Sequence, residues 1–240
     1  HYDELLGGVY AWSVTSSGEP FERGKRWLEA HGLMNATHYL DLGAGFGAHV
    51  LPLLAAGKQV TAVDFNAELL GQLAEAAGEA PGLRLERAEL IAYLEANSTD
   101  RWDVILCLGD TLTHLESTSA VRQLLASAAR HLKPEGRLAL SYRDSSAFSA
   151  EGVARFIPVA RDRARVMYCL LEPIDATYLR VTDIVTEVTD DGLQTRLGEY
   201  LKLRLARATL IDWALGAGLG LESEDVEQGM TSLVFRRSFA

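Results

Sequence analysis

Along the first 143 positions of the chain, segments with the hydrophobic pattern of strands alternate with segments that have the pattern of helices, which predicts an α/β fold. Short apolar runs predict parallel strands at 39–42, 58–64, 83–88, 102–108 and 137–143. Stretches with helical spacing lie between them. One begins at Pro20 and stops at Gly32, and others cover 49–56, 67–77 and 117–132, with Asn66 as the expected N-cap of the third.

The pattern changes between residues 144 and 205, where β-rich runs replace the helix expected next. The runs cover 163–172, 177–189 and 193–205, and Asp190-Asp191-Gly192 joins the last two, which is a hairpin signal. We predict an antiparallel β-ribbon, inserted after strand 5, that caps the mouth of the sheet. Its last strand should pack one face, while its polar face lines a ligand pocket or meets water: Leu197, Leu201, Leu203 and Leu205 alternate with Arg196, Tyr200, Lys202 and Arg204.

Both ends of the chain add to this body. A helix at 207–217 precedes runs at 219–227 and 230–237 around Gln228-Gly229, which predicts an antiparallel C-terminal hairpin. The predicted fold is therefore α/β, a Rossmann-like doubly wound sheet with an antiparallel C-terminal hairpin strand, in a single domain over residues 1–240. Residues 1–20 are aromatic-rich and amphipathic, and this segment either packs on the body or forms a lid.

Composition and charge narrow the range of functions. The formal net charge is −10 at pH 7, whereas phosphate binding needs clustered Lys and Arg, so we expect no nucleic-acid partner and a small acceptor instead. Two cysteines, Cys107 and Cys169, exclude a disulfide framework and fit a reducing cytoplasm. The sequence has no apolar run of about 18 residues, so no membrane span is predicted, and no signal segment is evident. His1 is not an initiator residue, so preceding residues are expected, and a homodimer is left open.

The most informative stretch joins the first predicted strand to the next helix. Asp41-Leu42 is followed by glycines at alternate positions, Gly43, Gly45 and Gly47. Glycine permits positive φ and close backbone approach, and a helix start offers free N–H groups, so the turn predicts a nucleotide cradle. Together with Ala48 it also satisfies the pattern of nicotinamide enzymes. However, Asp41 would repel a pyrophosphate and favours a cationic ligand.

Asp64 ends the second predicted strand about twenty residues after the glycines, where a carboxylate binds ribose hydroxyls. With this acid, the chain resembles the class I S-adenosylmethionine-dependent methyltransferases, whose first motif is an acid, any residue and then alternating glycines. It is most similar to the small-molecule branch that includes glycine and sarcosine N-methyltransferases, through the segment Cys107-Leu108-Gly109-Asp110-Thr111-Leu112-Thr113-His114-Leu115.

The resemblance implies S-adenosylmethionine as cofactor and S-adenosylhomocysteine as product. In the family, an apolar or aromatic residue lies against adenine where Phe65 stands, although a core role for Phe65 is open. Glu89 stands where the family often has an Asp that bonds the adenine amino group. The implied cofactor site comprises Asp41, Gly43, Ala44, Gly45, Gly47, Asp64, Phe65, Glu89, Leu90, Leu108 and Gly109.

Candidate reacting groups follow the fourth predicted strand, because open α/β sheets bind ligands beyond the carboxyl ends of their strands. Asp110 and His114 are the candidates for receiving a proton from an amine acceptor. A structural hydrogen bond is the alternative for His114. Cys107 is interpreted as core packing, since free cysteine is among the most buried residue types.

Candidate acceptor-binding groups are Tyr142 and Arg143, at the end of the fifth predicted strand. An arginine fork suits a carboxylate, and in the glycine-type enzymes an arginine in this neighbourhood holds the amino acid carboxylate. A salt bridge from Arg143 to Asp144 or to the β-ribbon is the alternative. In the methyltransferases, N-terminal residues fold over the cofactor, so Tyr10 and Trp12 could offer aromatic faces to the sulfonium.

We therefore predict methyl transfer to a small-molecule acceptor, at nitrogen, by in-line displacement, with oxygen as the close alternative. Holding the acceptor in line can supply about 7–11 kcal/mol, so little covalent machinery is needed. A nicotinamide oxidoreductase is disfavoured by Asp41 and by the terminal hairpin. A non-catalytic cofactor-binding protein stays open, because the glycine turn and Asp64 bind and do not catalyse. Metal-ligand motifs are absent from the sequence, so no metal is expected.

Overall fold

A computed structural model describes residues 7–15, 18–148 and 155–238. Residues 1–6 and 16–17 of the predicted lid, and residues 149–154 of the predicted cap, lie outside these described residues. The chain divides into two compact units. The larger unit consists of Phe21–Asp144 and Leu205–Ala240, and the smaller unit of His1–Pro20 and Ser145–Arg204. The single domain predicted over residues 1–240 stays a prediction.

The helices and strands of the described residues alternate as expected up to residue 142 and then change to consecutive strands. In chain order they are α1 (Gly7–Thr15), α2 (Pro20–Ala30), β1 (His38–Leu42), α3 (Val50–Ala55), β2 (Gln59–Asp64), α4 (Ala67–Ala77), β3 (Leu83–Arg87), α5 (Leu90–Ala96), β4 (Trp102–Cys107), α6 (Thr118–His131), β5 (Leu132–Tyr142), β6 (Arg155–Arg161), β7 (Arg165–Pro173), β8 (Tyr178–Thr189), β9 (Gly192–Leu203), α7 (Arg207–Gly216), β10 (Leu219–Glu227) and β11 (Met230–Arg237).

The larger unit is built on a seven-stranded sheet in the order β10-β11-β5-β4-β1-β2-β3. Strands β1 to β5 pair in parallel, whereas β11 is antiparallel to β5 and β10 is antiparallel to β11. The prediction of a Rossmann-like sheet with an antiparallel C-terminal hairpin is therefore confirmed. Leu40, Leu42, Ile105 and Leu106 of the two central strands are fully buried. Each such side chain contributes roughly 1.5–3 kcal/mol to folding, which explains why these strands read as continuous apolar runs.

Two local features of the larger unit differ from the expectation. Helix α5 was not predicted, because it has only seven residues and Glu89, its N-cap, makes no side-chain capping bond. Strand β5 begins at Leu132 rather than at 137. The predicted turn at 133–136 lies within it, where the pairing of β4 with β5 is irregular and Glu135 adopts a φ of 63°. Among the described residues, no helix is both long and apolar enough to span a membrane.

The smaller unit contains α1 and a four-stranded antiparallel sheet in the order β6-β7-β8-β9. The inserted antiparallel ribbon is therefore confirmed, and β8 and β9 form the expected hairpin, with Thr189 opposite Gly192. Strand β6 was not predicted. The chain places Val9 of α1 against Met167 and Val185 of the sheet, so one face of this sheet packs against the helix. The capping role of the ribbon stays a prediction.

The prediction for the faces of β9 is half wrong. Leu203 and Leu205 are buried as expected, but Leu197 and Leu201 are 64% and 52% exposed. Alternation along a strand establishes that two faces exist, but it cannot establish which face another element covers. Here α1 packs on the face opposite to Leu197 and Leu201.

Candidate active site

The glycine turn at the carboxyl end of β1 needs its glycines for backbone reasons. The three alternate glycines all have positive φ, with values of 82° at Gly43, 55° at Gly45 and 92° at Gly47. The N–H groups of Gly43 and Ala44 donate to the carbonyl of Val63, at 2.8 and 3.1 Å, which fixes the turn to the end of β2. Side chains other than glycine are strained in this conformation, so the sequence dictates the cradle shape.

Asp64 ends β2 and faces the glycine turn. One of its carboxylate oxygens accepts the N–H of Gly45 at 2.8 Å, and the other accepts the N–H of Asn66 at 2.9 Å. Burial raises the pKa of Asp64, and these backbone bonds oppose that rise. An ionised carboxylate has about four acceptor positions, so it can also bind hydroxyl groups of a ligand. Asn66 caps α4 through Leu69 N–H, as predicted.

Asp41 lies within β1 and is 2% exposed. Burial is the larger cause, and the nearby charge of Asp64 the smaller cause, of a rise in the pKa of Asp41 to about 7. A cationic group beside Asp41 would favour its ionised form. Burial, and to a smaller extent the charge of Asp41, raises the pKa of the Cys107 thiol, which is fully buried and therefore fits the predicted packing role.

Two glycines allow neighbouring elements to contact the glycine turn closely. A Cβ added to Gly24 of α2 would lie 2.1 Å from the carbonyl oxygen of Ala48. One at Gly43 would lie 2.4 Å from the methyl group of Thr111, whose hydroxyl donates to the Leu108 carbonyl at 2.8 Å. Gly24 and Thr111 were missed in the sequence. An isolated glycine inside a helical pattern is the signal that could have identified Gly24.

The predicted adenine contacts gather at the ends of β2 and β3. The N–H of Ala88 donates to the carbonyl of Asp64 at 3.1 Å, which brings Glu89 beside the end of β2. Phe65 follows Asp64 with its side chain 38% exposed, so the ring is accessible rather than part of the core. Leu90 is mostly buried at the start of α5. The structure thus places Asp64, Phe65 and Glu89 at one edge, and their contacts with adenine stay a prediction.

The ends of β4 and β5 are tied together by Asp110, which has a φ of 78° and is 4% exposed. The N–H groups of Gly109 and Asp110 donate to the hydroxyl and the carbonyl of Ser141, at 2.8 and 3.0 Å. One carboxylate oxygen of Asp110 accepts the N–H of Arg143 at 3.0 Å and the hydroxyl of Thr113 at 3.2 Å. These bonds suit a positioning role. The predicted proton-accepting roles of Asp110 and of His114, which is half-buried, stay predictions.

Arg143 and Tyr142 differ sharply in accessibility. The Arg143 side chain is 62% exposed, and its guanidinium lies 3.7 Å from the carboxylate of Asp110. The Asp144 carboxylate accepts the N–H of Arg207 at 2.9 Å. Tyr142 is fully buried, and burial and Asp144 raise its pKa. The Arg143 side chain is therefore accessible to a ligand. The Tyr142 side chain is not, because it points into the core of the larger unit.

Tyr10 and Trp12 lie on α1 in the smaller unit. The guanidinium of Arg165 lies 4.4 Å from the centre of the Trp12 ring, so this ring already contacts a cation. Tyr10 is half-buried. Their predicted contacts with the sulfonium stay predictions. Within the described ranges, no cluster of three or more His, Cys, Asp or Glu side chains could hold a metal ion.

Comparison with known proteins identifies similar methyltransferases. Residues 40–138 match a family model described as a methyltransferase domain. A glycine/sarcosine N-methyltransferase of Halorhodospira halochloris is 36% identical over 110 residues, which cover 45% of this chain and 41% of that protein. A ubiquinone biosynthesis O-methyltransferase of Xanthomonas oryzae pv. oryzae (strain PXO99A) is 32% identical over 127 residues, which cover 50% of this chain and 51% of that protein. The chain thus spans about half the length of the relatives it matches.

A solved structure is similar over almost the whole chain. The CcbJ methyltransferase from Streptomyces caelestis is 22% identical, with a TM-score of 0.83, and the match covers 99% of this chain and 98% of that one. This likeness establishes the fold. The domain match and the relatives confirm the resemblance to the class I S-adenosylmethionine-dependent methyltransferases. S-adenosylmethionine is the cofactor that this resemblance implies.

Proposed function

We propose that this chain is an S-adenosylmethionine-dependent methyltransferase that acts on a nitrogen atom of a small-molecule acceptor. The observation that carries the proposal is the glycine turn of β1 bonded to Asp64 through the Gly45 N–H. This arrangement supports the proposal, because a carboxylate beside such a glycine turn is the group that binds ribose hydroxyls in nucleotide-binding α/β folds. The name of the glycine/sarcosine relative supports nitrogen as the acceptor atom.

The residues around the cradle fit this cofactor. Asp64 would hold the ribose hydroxyls with its remaining acceptor positions, and the exposed ring of Phe65 would lie against adenine. The buried carboxyl of Asp41 would become ionised beside a cationic part of the ligand. When bound, S-adenosylmethionine supplies an electrophilic methyl group on a sulfonium.

Arg143 is the residue that would orient the acceptor. Its planar guanidinium is exposed, and its backbone is held by the Asp110 carboxylate, so the side chain starts from a fixed position. A guanidinium fork binds a carboxylate through two parallel hydrogen bonds. We therefore propose an acceptor that has both an amine and a carboxylate, and a role for Asp110 in positioning Arg143.

An amine acceptor must lose a proton before it attacks, and Asp110 and His114 are the groups we propose to receive it. The pH dependence of kcat tests this role. Asp110→Asn and His114→Gln each remove a titrating group while they keep a side chain of similar size. Loss of one limb of the pH profile in either variant supports the assignment, and an unchanged profile in both contradicts it.

The direct test of the function is transfer of an isotope-labelled methyl group from S-adenosylmethionine to a panel of amino acids, amines, phenols and heterocycles, with products identified by mass spectrometry. We expect label on nitrogen. Label on a phenol or hydroxyl would move the assignment to oxygen, which is the activity named for the Xanthomonas relative. No transfer, together with a melting temperature raised by S-adenosylhomocysteine, would indicate a binding protein. No melting shift would overturn the cofactor assignment.

Two variants separate the cofactor site from the acceptor site. Asp64→Ala should weaken the binding of S-adenosylmethionine and of S-adenosylhomocysteine, and unchanged affinity would contradict the ribose assignment. Arg143→Ala should raise KM for the acceptor and leave cofactor affinity intact. Arg143→Lys is the matched control, because it keeps the charge and loses the fork. If Arg143→Ala also abolishes cofactor binding, the side chain has a structural role instead.

A further inference from the structure

The segment that follows β4, which we call the β4 loop (residues 108–114), lies against the glycine turn, because β1 and β4 are neighbouring parallel strands. A Cβ atom added to Gly43 would lie 2.4 Å from the methyl carbon, 2.7 Å from the hydroxyl oxygen and 3.1 Å from the Cβ atom of Thr111. The Thr111 side chain therefore occupies the space that a side chain at Gly43 would need. Its orientation is fixed, because its hydroxyl donates to the Leu108 carbonyl at 2.8 Å and a β-branched side chain has few rotamers.

The β4 loop also holds the backbone of Arg143. The Asp110 carboxylate accepts the Arg143 N–H at 3.0 Å, and the N–H groups of Gly109 and Asp110 donate to Ser141, two residues before Arg143. Gly109 and Asp110 have φ values of 72° and 78°. An aspartate rarely adopts this conformation, so hydrogen bonds and packing, rather than the preference of the backbone, maintain the loop. The loop therefore connects the glycine turn with Arg143.

We propose that Thr111 is a positioning residue that transmits cofactor binding at the glycine turn to Arg143. This inference rests on the proposed function, because it takes the turn as the cofactor site and Arg143 as the group that binds the acceptor. A cofactor that binds the turn holds the β4 loop in place through Thr111. The loop then holds Arg143 in the position from which its guanidinium binds the acceptor carboxylate.

The three glycines of the turn explain why a ligand has this effect. Gly43, Gly45 and Gly47 permit more backbone conformations than other residues, so fixing the free turn costs much conformational entropy. A cofactor bound to the turn and Asp64 meets this cost once, and the loop packed on the turn is then ordered at a smaller cost. Two ligands related in this way bind cooperatively and strengthen each other by the same factor. The acceptor therefore binds most tightly to the cofactor complex, where methyl transfer can follow.

Amide hydrogen exchange of the full chain, measured residue by residue by NMR with and without saturating S-adenosylhomocysteine, tests the proposal without an identified acceptor. The readout is the ratio of the exchange rates of the Arg143 N–H in the free and bound states. We expect S-adenosylhomocysteine to slow this exchange at least about fivefold, which is the lower end of the usual coupling between two sites. Isothermal titration calorimetry on the same sample measures whether the ligand binds.

Three variants assign the effect to Thr111. Thr111→Ser removes the methyl group that lies over Gly43 and keeps the hydroxyl, so S-adenosylhomocysteine should still bind but slow Arg143 exchange less than about twofold. Thr111→Val keeps a methyl group there and should retain slowing of at least about fivefold. Thr118→Ser is the matched control, because Thr118 is also half-buried but begins α6, outside the β4 loop, and it should behave as the wild type.

The ratio separates coupling from a merely structural role. A structural role of Thr111 would change the exchange rate of the free protein and leave the ratio unchanged. Likewise, a ligand that only stabilises the whole fold would slow exchange equally in the wild type and in Thr111→Ser. Equal slowing in these two proteins, or loss of the slowing in Thr111→Val, would therefore contradict the proposal.

The same experiment distinguishes failure of this proposal from failure of the proposed function. If S-adenosylhomocysteine does not bind the wild type, the cofactor assignment is wrong and the coupling is wrong with it. If it binds but leaves the exchange of Arg143 unchanged, the coupling alone is wrong. Circular dichroism establishes that each variant is folded. If Thr111→Ser does not fold, Thr111→Ala replaces it with the same expected ratio, because alanine also lacks the methyl group over Gly43.

Discussion

Replacing Asp41 by asparagine should stabilise the protein and weaken cofactor binding. Burial and Asp64 raise the pKa of Asp41 from 3.8 to about 7. Between these two values the folded chain holds a proton that the unfolded chain releases, so the free energy of unfolding falls as pH rises and levels off above about pH 7. Asparagine does not titrate, so the variant escapes this loss.

The expected size follows from the shift. About three pKa units at about 1.36 kcal/mol each give roughly 4 kcal/mol in favour of Asp41→Asn at pH 8. The difference should shrink to about 2 kcal/mol at pH 5 and vanish below about pH 4, where both states of the wild type are protonated. Urea denaturation at each pH measures it. Asp225→Asn, at an exposed position on β10, is the control and should change stability by less than about 0.5 kcal/mol.

Cofactor binding should change in the opposite direction. If the ionised carboxyl binds the cationic ligand, the affinity of the wild type for S-adenosylmethionine falls about tenfold per pH unit below pH 7. Asp41→Asn should bind at least about tenfold more weakly at pH 8 and lose this pH dependence. Isothermal titration calorimetry from pH 6 to 8 measures both. A variant no more stable than the wild type at pH 8, or one with the wild-type pH profile of binding, would refute the reasoning.

Three further substitutions, the first with a control substitution, test residues that support the site. Gly24→Ala should destabilise the fold and weaken cofactor binding, because the added Cβ would clash with the Ala48 carbonyl oxygen. Gly71→Ala is the control, because it has open space around it and should stabilise α4 by about 0.5–1 kcal/mol. Thermal unfolding measures stability, and isothermal titration calorimetry measures cofactor binding. Asn66→Ala should cost about 1 kcal/mol through loss of the cap, measured by urea denaturation, and an unchanged midpoint would contradict the capping role. Tyr142→Phe should leave the stability unchanged or raise it by about 1 kcal/mol in thermal melts, because the buried hydroxyl has no hydrogen-bond partner among the described residues. A large loss of stability would show that the hydroxyl does have a partner.

The sequence predicted those parts of the fold that local chemistry determines. The glycine turn, the acid at position 64 and the Asn66 cap each follow from a backbone conformation that few residue types permit. Helix α5 and strand β6 were missed, because short elements without a cap or a turn signal leave little periodic pattern. Contacts between distant segments were out of reach, and the approach of Gly24 to Ala48 is the clearest example, since nothing near either residue encodes the other.

The two faces of β9 show a second limit of prediction from the sequence. The alternation in β9 predicted two faces correctly, yet Leu197 was assigned to the packed one. An apolar face is ordinarily a buried face, and that general rule failed because α1 packs on the opposite side. The candidate site follows this division as well. Its glycine turn is one local motif and could be predicted, whereas the bonds that hold Arg143 join the ends of two strands and could not.

The packing of α1 on the distant ribbon has a consequence for biosynthesis. Val9 is synthesised about 160 residues before Met167 and about 175 residues before Val185, against which it packs. At about 5–20 residues per second, the first helix waits roughly 8–30 s without its partners. During that interval its apolar side chains are open to chaperones and to other nascent chains. Slower translation should therefore lower the yield of folded protein, and holdase chaperones that shield α1 should restore it.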